Sequence, residues 1–346
     1  MRILYAIQGT GNGHLSRALD IVPLLQQRGE VDVLVSGPPA DIPLPFPVRY
    51  RCHGLGFIFG RKGGINFVKT FVQINSKAFL REIRQLPVEE YDLVISDFEP
   101  VSAWACQQRG VPCVALSHQS AVLSEYAPQP ASFDPVGRAV LRHYAPATRH
   151  YGFHFQRYEP HISTPVIRRQ VRELVPSNEG HYTVYLPAFD EETLVRRLRY
   201  LSRTVQWHVF SKHSPQPAQH GNVQVWPVSG SAFTDSLARS AGVLCGAGFE
   251  TPAEALYLGK KLLVLPMKQQ YEQACNAAAL ADMGVTVVKN LKDKSLAVVD
   301  HWLQYGLPVP VDYPDETAAV LNKLLLEAGR GFKGEIVKSE ILRLGV

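Results

Sequence analysis

Apolar residues fall along this chain in two alternating rhythms. The run RILYAI (2–7) is short, unbroken and rich in β-formers. The segment HLSRALDIVPLLQQRG (14–29) instead spaces its apolar residues as a helix face and stops at Gly29. Pro23 lies inside that helix and is expected to kink it. VDVLVSG (31–37) reads as a second strand and YDLVISD (91–97) as a later one; SAWACQQRGVP (102–112) reads as a helix ending at Arg109-Gly110, and CVALSH (113–118) as the next strand. Short buried strands alternating with amphipathic helices predict βαβ units and a doubly wound parallel sheet.

From Tyr144 to Ser177 the rhythm stops, and prolines and histidines gather in HYAPATRHYGFHFQRYEPHISTP (143–165). A second series then begins with YTVYLP (182–187) and continues through VQWHVFS, VQVWPVS, GVLCG, KLLVLP and VTVVK. The pattern predicts an α/β protein of two Rossmann-like doubly wound domains facing across a cleft, residues 1–163 and 164–346. The last helical segment, DETAAVLNKLLLEAG (315–329), is a candidate to pack back on the first domain.

A length of 346 residues fits two domains, and 46% apolar with 19% charged residues fits full cores. No apolar run reaches the eighteen residues that a spanning helix needs, and MRILYAIQGT does not read as a signal peptide. Five scattered cysteines without a C-x-x-C pair fit reduced thiols in a cytoplasm. The net charge of +5 fits either an ordinary surface or an anionic partner: a sugar nucleotide, a lipid diphosphate or a membrane surface. Lys and Arg are spread out rather than gathered into a stripe with aromatics, which argues against nucleic acid.

The chemistry-bearing stretches lie at predicted strand ends. The first is GTGNGHLSRA (9–18). A dinucleotide fold requires G-x-G-x-x-G there and an acidic residue closing the second strand. Here Gly9, Gly11 and Gly13 alternate, and the second strand ends in Ser36-Gly37, so that reading fails twice. With Gly11, Asn12 and Gly13, His14 stands at the mouth of the first helix, at the carboxyl end of the sheet. A neutral imidazole there can take a proton from an attacking hydroxyl. A helix cap or an anion contact fits the spacing equally well.

The second stretch is GVLCGAGFETPAEALYLGKKLLVLP (242–266), read as strand, glycine turn, helix and strand. Thr251 is the expected N-cap, Pro252 the first helical residue and Gly259 the stop. Gly246 and Gly248 let the backbone approach a ligand, with free N–H groups and the positive helix end facing an anion. Glu254 is placed one turn in, towards a nucleoside ribose. The next strand leads into PMKQQYEQACNAA (266–278), which brings Glu272, Gln273 and Asn276 to the same edge.

Four local patterns, GNGHL, LVISD, GFETPAEALYLG and EQACNA, occur in one order between residues 9 and 278. In them the chain resembles GT-B-type glycosyltransferases, above all the undecaprenyl-muropeptide N-acetylglucosaminyltransferase and the UDP-glycosyltransferase families. The resemblance implies that His14 is the catalytic base and that Asp97 orients it. It implies that Gly248, Phe249, Glu250 and Thr251 hold the diphosphate, that Glu254 takes the ribose hydroxyls, and that Glu272 and Gln273 hold the sugar. WPVS at Trp226 matches the family's W-x-P-Q box only in part, so the base is the least marked element.

No D-x-D segment for a divalent ion occurs; Asp97-Phe98-Glu99 comes nearest and lies in the first half. The expectation is metal-independent transfer without a cofactor, the nucleotide sugar being a co-substrate and the helix end near Thr251, helped by Lys268, facing the leaving diphosphate. Retaining relatives carry a Glu eight positions before the ribose Glu, where this chain has Gly246, so inversion is expected. The acceptor is a hydroxyl compound, with lipid-linked and glycan acceptors both open. Residues 54–86 are expected beside the acceptor cleft or as a helix packed on the sheet, with peripheral contact to the inner membrane face following from the first reading. His118 faces the same cleft in this reading, as an acceptor contact or a core residue. His150 and His154 are expected at the surface. A UDP-sugar 2-epimerase and a non-catalytic sugar-nucleotide sensor share the fold and stay open as alternatives.

Overall fold

The computed structural model describes residues 1–10, 12–38, 42–55, 76–132, 134–212, 214–228 and 230–330. The first sheet contains β1 (Arg2–Gln8), β2 (Glu30–Ser36), β3 (Tyr50–Cys52), β4 (Leu93–Asp97), β5 (Cys113–Ser117), β6 (Arg149–Phe153) and β7 (Ile162–Ser163). The second contains β8 (His181–Tyr185), β9 (Gln206–Ser211), β10 (Ala218–His220), β11 (Val223–Pro227), β12 (Gly242–Gly246), β13 (Lys261–Leu265) and β14 (Thr286–Val287). Twelve α-helices join the strands among the described residues: α1 (Asn12–Gln26), α2 (Ser76–Gln85), α3 (Pro100–Arg109), α4 (His118–Val122), α5 (Pro135–His143), α6 (Arg169–Arg172), α7 (Glu191–Leu201), α8 (Gly230–Arg239), α9 (Glu250–Tyr257), α10 (Tyr271–Asp282), α11 (Leu296–Tyr305) and α12 (Thr317–Gly329).

The strand order is β3-β2-β1-β4-β5-β6-β7 in the first sheet and β10-β11-β9-β8-β12-β13-β14 in the second. All pairings are parallel except the β10–β11 hairpin at one edge. Each sheet therefore changes winding direction once, between β1 and β4 and between β8 and β12. Open α/β sheets bind ligands outside the carboxyl ends of strands at such points. Register sharpens this: Ile7 on β1 pairs with Asp97 on β4, so the loop leading into α1 and the end of β4 are neighbours.

One apolar cluster runs without a break from β1 and α1 through Phe155, Ile167 and Val171 to β12, α9, α10 and α12. The halves are thus joined by shared core. Helix α12 lies against the first half, where Arg28 Nε donates to Asn322 Oδ1 at 2.6 Å and the Tyr151 hydroxyl donates to Glu327. A second cluster around Trp207 and Trp302 backs the other face of the second sheet. Among the described residues no helix is long and apolar enough to cross a membrane.

Two expectations change here. The stretch from Tyr144 to Ser177 contains β6 and β7, hidden from the pattern because RHYGF buries only its last three residues. His154, expected at the surface, lies at the end of β6 with no exposed area. Helix α1 continues through Pro23 to Gln26. Residues 56–75, most of the stretch expected near the acceptor, lie outside the described residues, as does Gly11.

Candidate active site

His14 occupies the first turn of α1, and Asp97 ends β4. The two sheet ends bring them together, His14 Nδ1 lying 2.8 Å from Asp97 Oδ1. A carboxylate only accepts, so in this contact Nδ1 is the donor. Arg17 Nη2, itself only a donor, lies 3.1 Å from the same Nδ1, and Nε2 is the ring nitrogen that Asp97 does not engage. Asp97 is wholly buried and also accepts from Arg17, through Nε at 3.0 Å and Nη2 at 2.7 Å, and from the Tyr5 hydroxyl at 3.3 Å. Burial works to raise the Asp97 carboxyl, but the charges of Arg17 and His14 prevail and hold it below its ordinary value. Phe98 follows at φ 55°, a left-handed conformation that a bulky residue keeps only under constraint. Its ring stacks on Tyr144 with centroids 4.8 Å apart.

Across the seam, β12 runs into a turn and then α9. The helix starts at Glu250, with Phe249 at the cap making no side-chain capping bond. Thr251 is therefore the second helical residue and not the N-cap. Phe249 sets this start because its ring is buried, stacked on His118 at 3.8 Å and tilted against Phe155 at 5.1 Å. Tertiary packing, not a capping hydroxyl, fixes the helix start.

A cavity of about 380 Å³ opens at the winding switch of the second sheet. Tyr185, Leu186, Gly246 and Leu265 at the strand ends line it, with Gly248, Thr251 and Gln273 beside them. Arg197, Lys268, Lys289 and Lys292 also line it, and among the described residues no carboxylate does. Gln273 is held across the end of β13, its Oε1 accepting from the Met267 amide at 2.9 Å. Glu272 stands at the seam and accepts from Gln119 Nε2 at 3.1 Å. Among the described residues no three His, Cys, Asp or Glu side chains gather in a metal-holding group.

Other expected residues stand elsewhere. Glu254 is not part of the cavity wall: it is 3% exposed and holds Arg168 through two bonds, at 2.5 and 2.7 Å. Its turn of α9 faces the segment that connects the two sheets, so the carboxylate ties helix to connector. Burial raises its pKa, with Arg168 opposing. His118 is 1% exposed and does not face open cleft. Its Nδ1 lies 2.8 Å from the Phe153 carbonyl and its Nε2 2.7 Å from Asn276 Oδ1, while Asn276 Nδ2 donates to the Ala247 carbonyl at 3.1 Å. His118 therefore joins the first sheet to the glycine turn before α9. The Phe249 side chain belongs to this same buried cluster. Trp226, at the end of β11, does not line the cavity. Gly13 lies so close to Glu250 that an added Cβ would sit 2.6 Å from the carboxylate carbon.

Arg17 is the main participant that the motifs did not single out. It is 3% exposed, and besides Asp97 it donates Nη1 to Glu250 at 2.9 Å across the seam. The signal lay in its spacing: three residues after His14, it shares that helix face. Arg168 had no such signal, since its partner lies far along the chain.

Residues 1–308 match glycosyl transferase family 1. No curated protein matches the sequence. Among solved structures, the chain is similar to the glycotransferase of kitacinnamycin at 14% identity, covering 95% of each chain with a TM-score of 0.57. It is similar to MurG of Acinetobacter baumannii at 17% identity, covering 94% of this chain and 99% of that one, with a TM-score of 0.54. Phytolacca americana UGT2, complexed with UDP-2fluoro-glucose and pterostilbene, is 14% identical; 97% of this chain and 95% of that one align, with a TM-score of 0.57. With two Rossmann-like halves and a match over most of its length, the chain belongs to glycosyl transferase family 1 and is a glycosyltransferase of the GT-B fold.

Proposed function

We propose that the enzyme transfers a sugar from a nucleoside-diphosphate sugar, UDP-linked, to a hydroxyl acceptor by a single inverting displacement without a metal ion. His14 Nε2 takes the acceptor proton as the acceptor oxygen bonds to the anomeric carbon. The bond from that carbon to the diphosphate breaks, and the diphosphate leaves with the electron pair. His14 becomes imidazolium beside Asp97, which orients and stabilises it. The uncapped amides of α9, with Lys268 nearby, face the charge developing on the leaving group. Gly246, Gly248 and Thr251 take the diphosphate side, and Gln273 with Glu272 the sugar hydroxyls. Glu254 is left to Arg168. An apolar groove of about 740 Å³ begins at Leu15, next to His14, and includes Ile42, Leu44 and Phe46, with Arg51 and His53 also lining it; it suits an acceptor with a hydrophobic body.

The observation that carries this reading is the cavity lined by four cations and, among the described residues, no carboxylate, opening beside an uncapped helix start whose first residue pairs into the His14–Asp97 cluster. A thermal-shift panel of nucleotides and nucleotide sugars tests it. UDP or a UDP-sugar should raise the melting temperature by a few degrees at saturating concentration. His14→Ala should keep that shift and lose transfer by about 100-fold or more. A panel without response, or full activity in His14→Ala, overturns the assignment. Transfer abolished by chelator and restored by one divalent ion would refute metal independence, and a product retaining the donor's anomeric configuration would refute inversion.

A further inference from the structure

We infer that Arg17 conditions the donor turn from the opposite domain, by drawing the Glu250 carboxylate out of the place where a diphosphate would bind. The inference rests on the donor reading above. Glu250 opens α9, and its neighbours Gly248 and Thr251 both line the cavity. A carboxylate in a first helical turn ordinarily stays near the free amides and is stabilised by the helix dipole. Here that arrangement would set a negative charge against the incoming diphosphate and compete for the same N–H groups.

The structure turns the side chain the other way. Oε1 accepts from Arg17 Nη1 at 2.9 Å, and the carboxylate lies flat over Gly13. A Cβ at Gly13 would sit 2.6 Å from the carboxylate carbon and 2.7 Å from Oε1, so only glycine leaves the slot open. Gly13 and Arg17 are four residues apart on α1 and so share one face. Arg17 cannot follow Glu250 back into the donor turn, because Nε and Nη2 are bonded to buried Asp97. The first domain therefore supplies both the slot and a fixed cation. Nucleotide affinity thereby depends on Arg17, a residue outside the cavity lining.

Calorimetric titration with UDP tests the inference on the full chain. Gly13→Ala fills the slot without changing charge and adds a good helix former, so it should fold. It should weaken UDP binding roughly five- to tenfold, the scale of one like charge at close range in a partly screened site. Arg17→Gln should do the same. Glu250→Gln should bind UDP as tightly as the wild type or tighter, and in the Gly13→Ala background it should restore most of the lost affinity. Restoration is the discriminating result, since damage to the fold would not be repaired by removing a charge on another helix. Unchanged affinity in Gly13→Ala, or no restoration by Glu250→Gln, overturns the inference while leaving the donor reading intact. Wild-type protein that binds no UDP overturns both.

Discussion

Asp97 is a buried carboxylate held by an imidazole, a guanidinium and a phenol, so its charge supports several contacts at once. Replacing it removes that charge while leaving the Arg17 guanidinium buried. Asp97→Asn is therefore expected to cost about 3–5 kcal/mol of stability, the usual result of breaking one side of a buried pair. Transfer should fall by orders of magnitude as His14 loses its orienting acceptor. Denaturant titration checks the first outcome and single-turnover rates the second; a loss of activity with no loss of stability would mean that Arg17 finds another partner. His14 and Asp97 were legible in the sequence because each closes or follows a predicted strand, and strand ends share one sheet edge. The Arg168 pairing of Glu254 was hidden for the converse reason. Spacing set its turn of α9, but its partner Arg168 comes from the connector between the sheets, and no local pattern encodes that contact.

At the scale of elements, helix starts show where local signals suffice. Asp97-Phe98-Glu99 precedes α3, and it is Glu99 that caps the helix, accepting from the Val101 amide at 2.7 Å and the Ser102 amide at 2.6 Å. Burial raises the Glu99 pKa, with those hydrogen bonds opposing. The cap holds α3 directly behind the strained Phe98 turn, so its loss should be felt at Asp97. Glu99→Ala is expected to lower stability by about 2 kcal/mol and to reduce transfer as well. Urea unfolding followed by activity at equal folded fraction separates the two effects; a stable variant with normal rates would show that water replaces the carboxylate. The helix stops were legible for a simple reason: Gly110 and Gly259 take φ of 68° and 64°, which glycine alone adopts freely. The start of α9 was not, because Phe249 is placed by His118 and Phe155 from the other half of the molecule. Strands β6 and β7 were missed likewise, since each draws its pairing from β5 outward and little from its own alternation.

At the scale of the molecule, the alternation of strands and helices and the two Rossmann-like halves followed from periodicity, whereas the seam did not. Periodicity reports which face of an element is buried, not which distant element covers it. The seam brought His118 and His154 into full burial, and the second half adds His181 stacked on His208 at 4.0 Å. Burial lowers the pKa of all four; in His208 it is joined by repulsion from His181, and the value falls to about 4. A histidine depressed on folding contributes stability that is whole above its unfolded pKa of about 6.5 and is lost as pH falls towards the folded value. The protein should therefore lose stability steadily between pH 6.5 and pH 4. His208 is the cleanest position for a test, because Phe can keep the ring contact with His181 without binding a proton. His208→Phe is expected to match the wild type at pH 7.5 and to exceed it by about 1 kcal/mol at pH 5, after discounting for partial exposure. Melting curves across that range decide the matter: parallel curves for the two proteins would place the acid sensitivity in the seam histidines or the carboxylates instead.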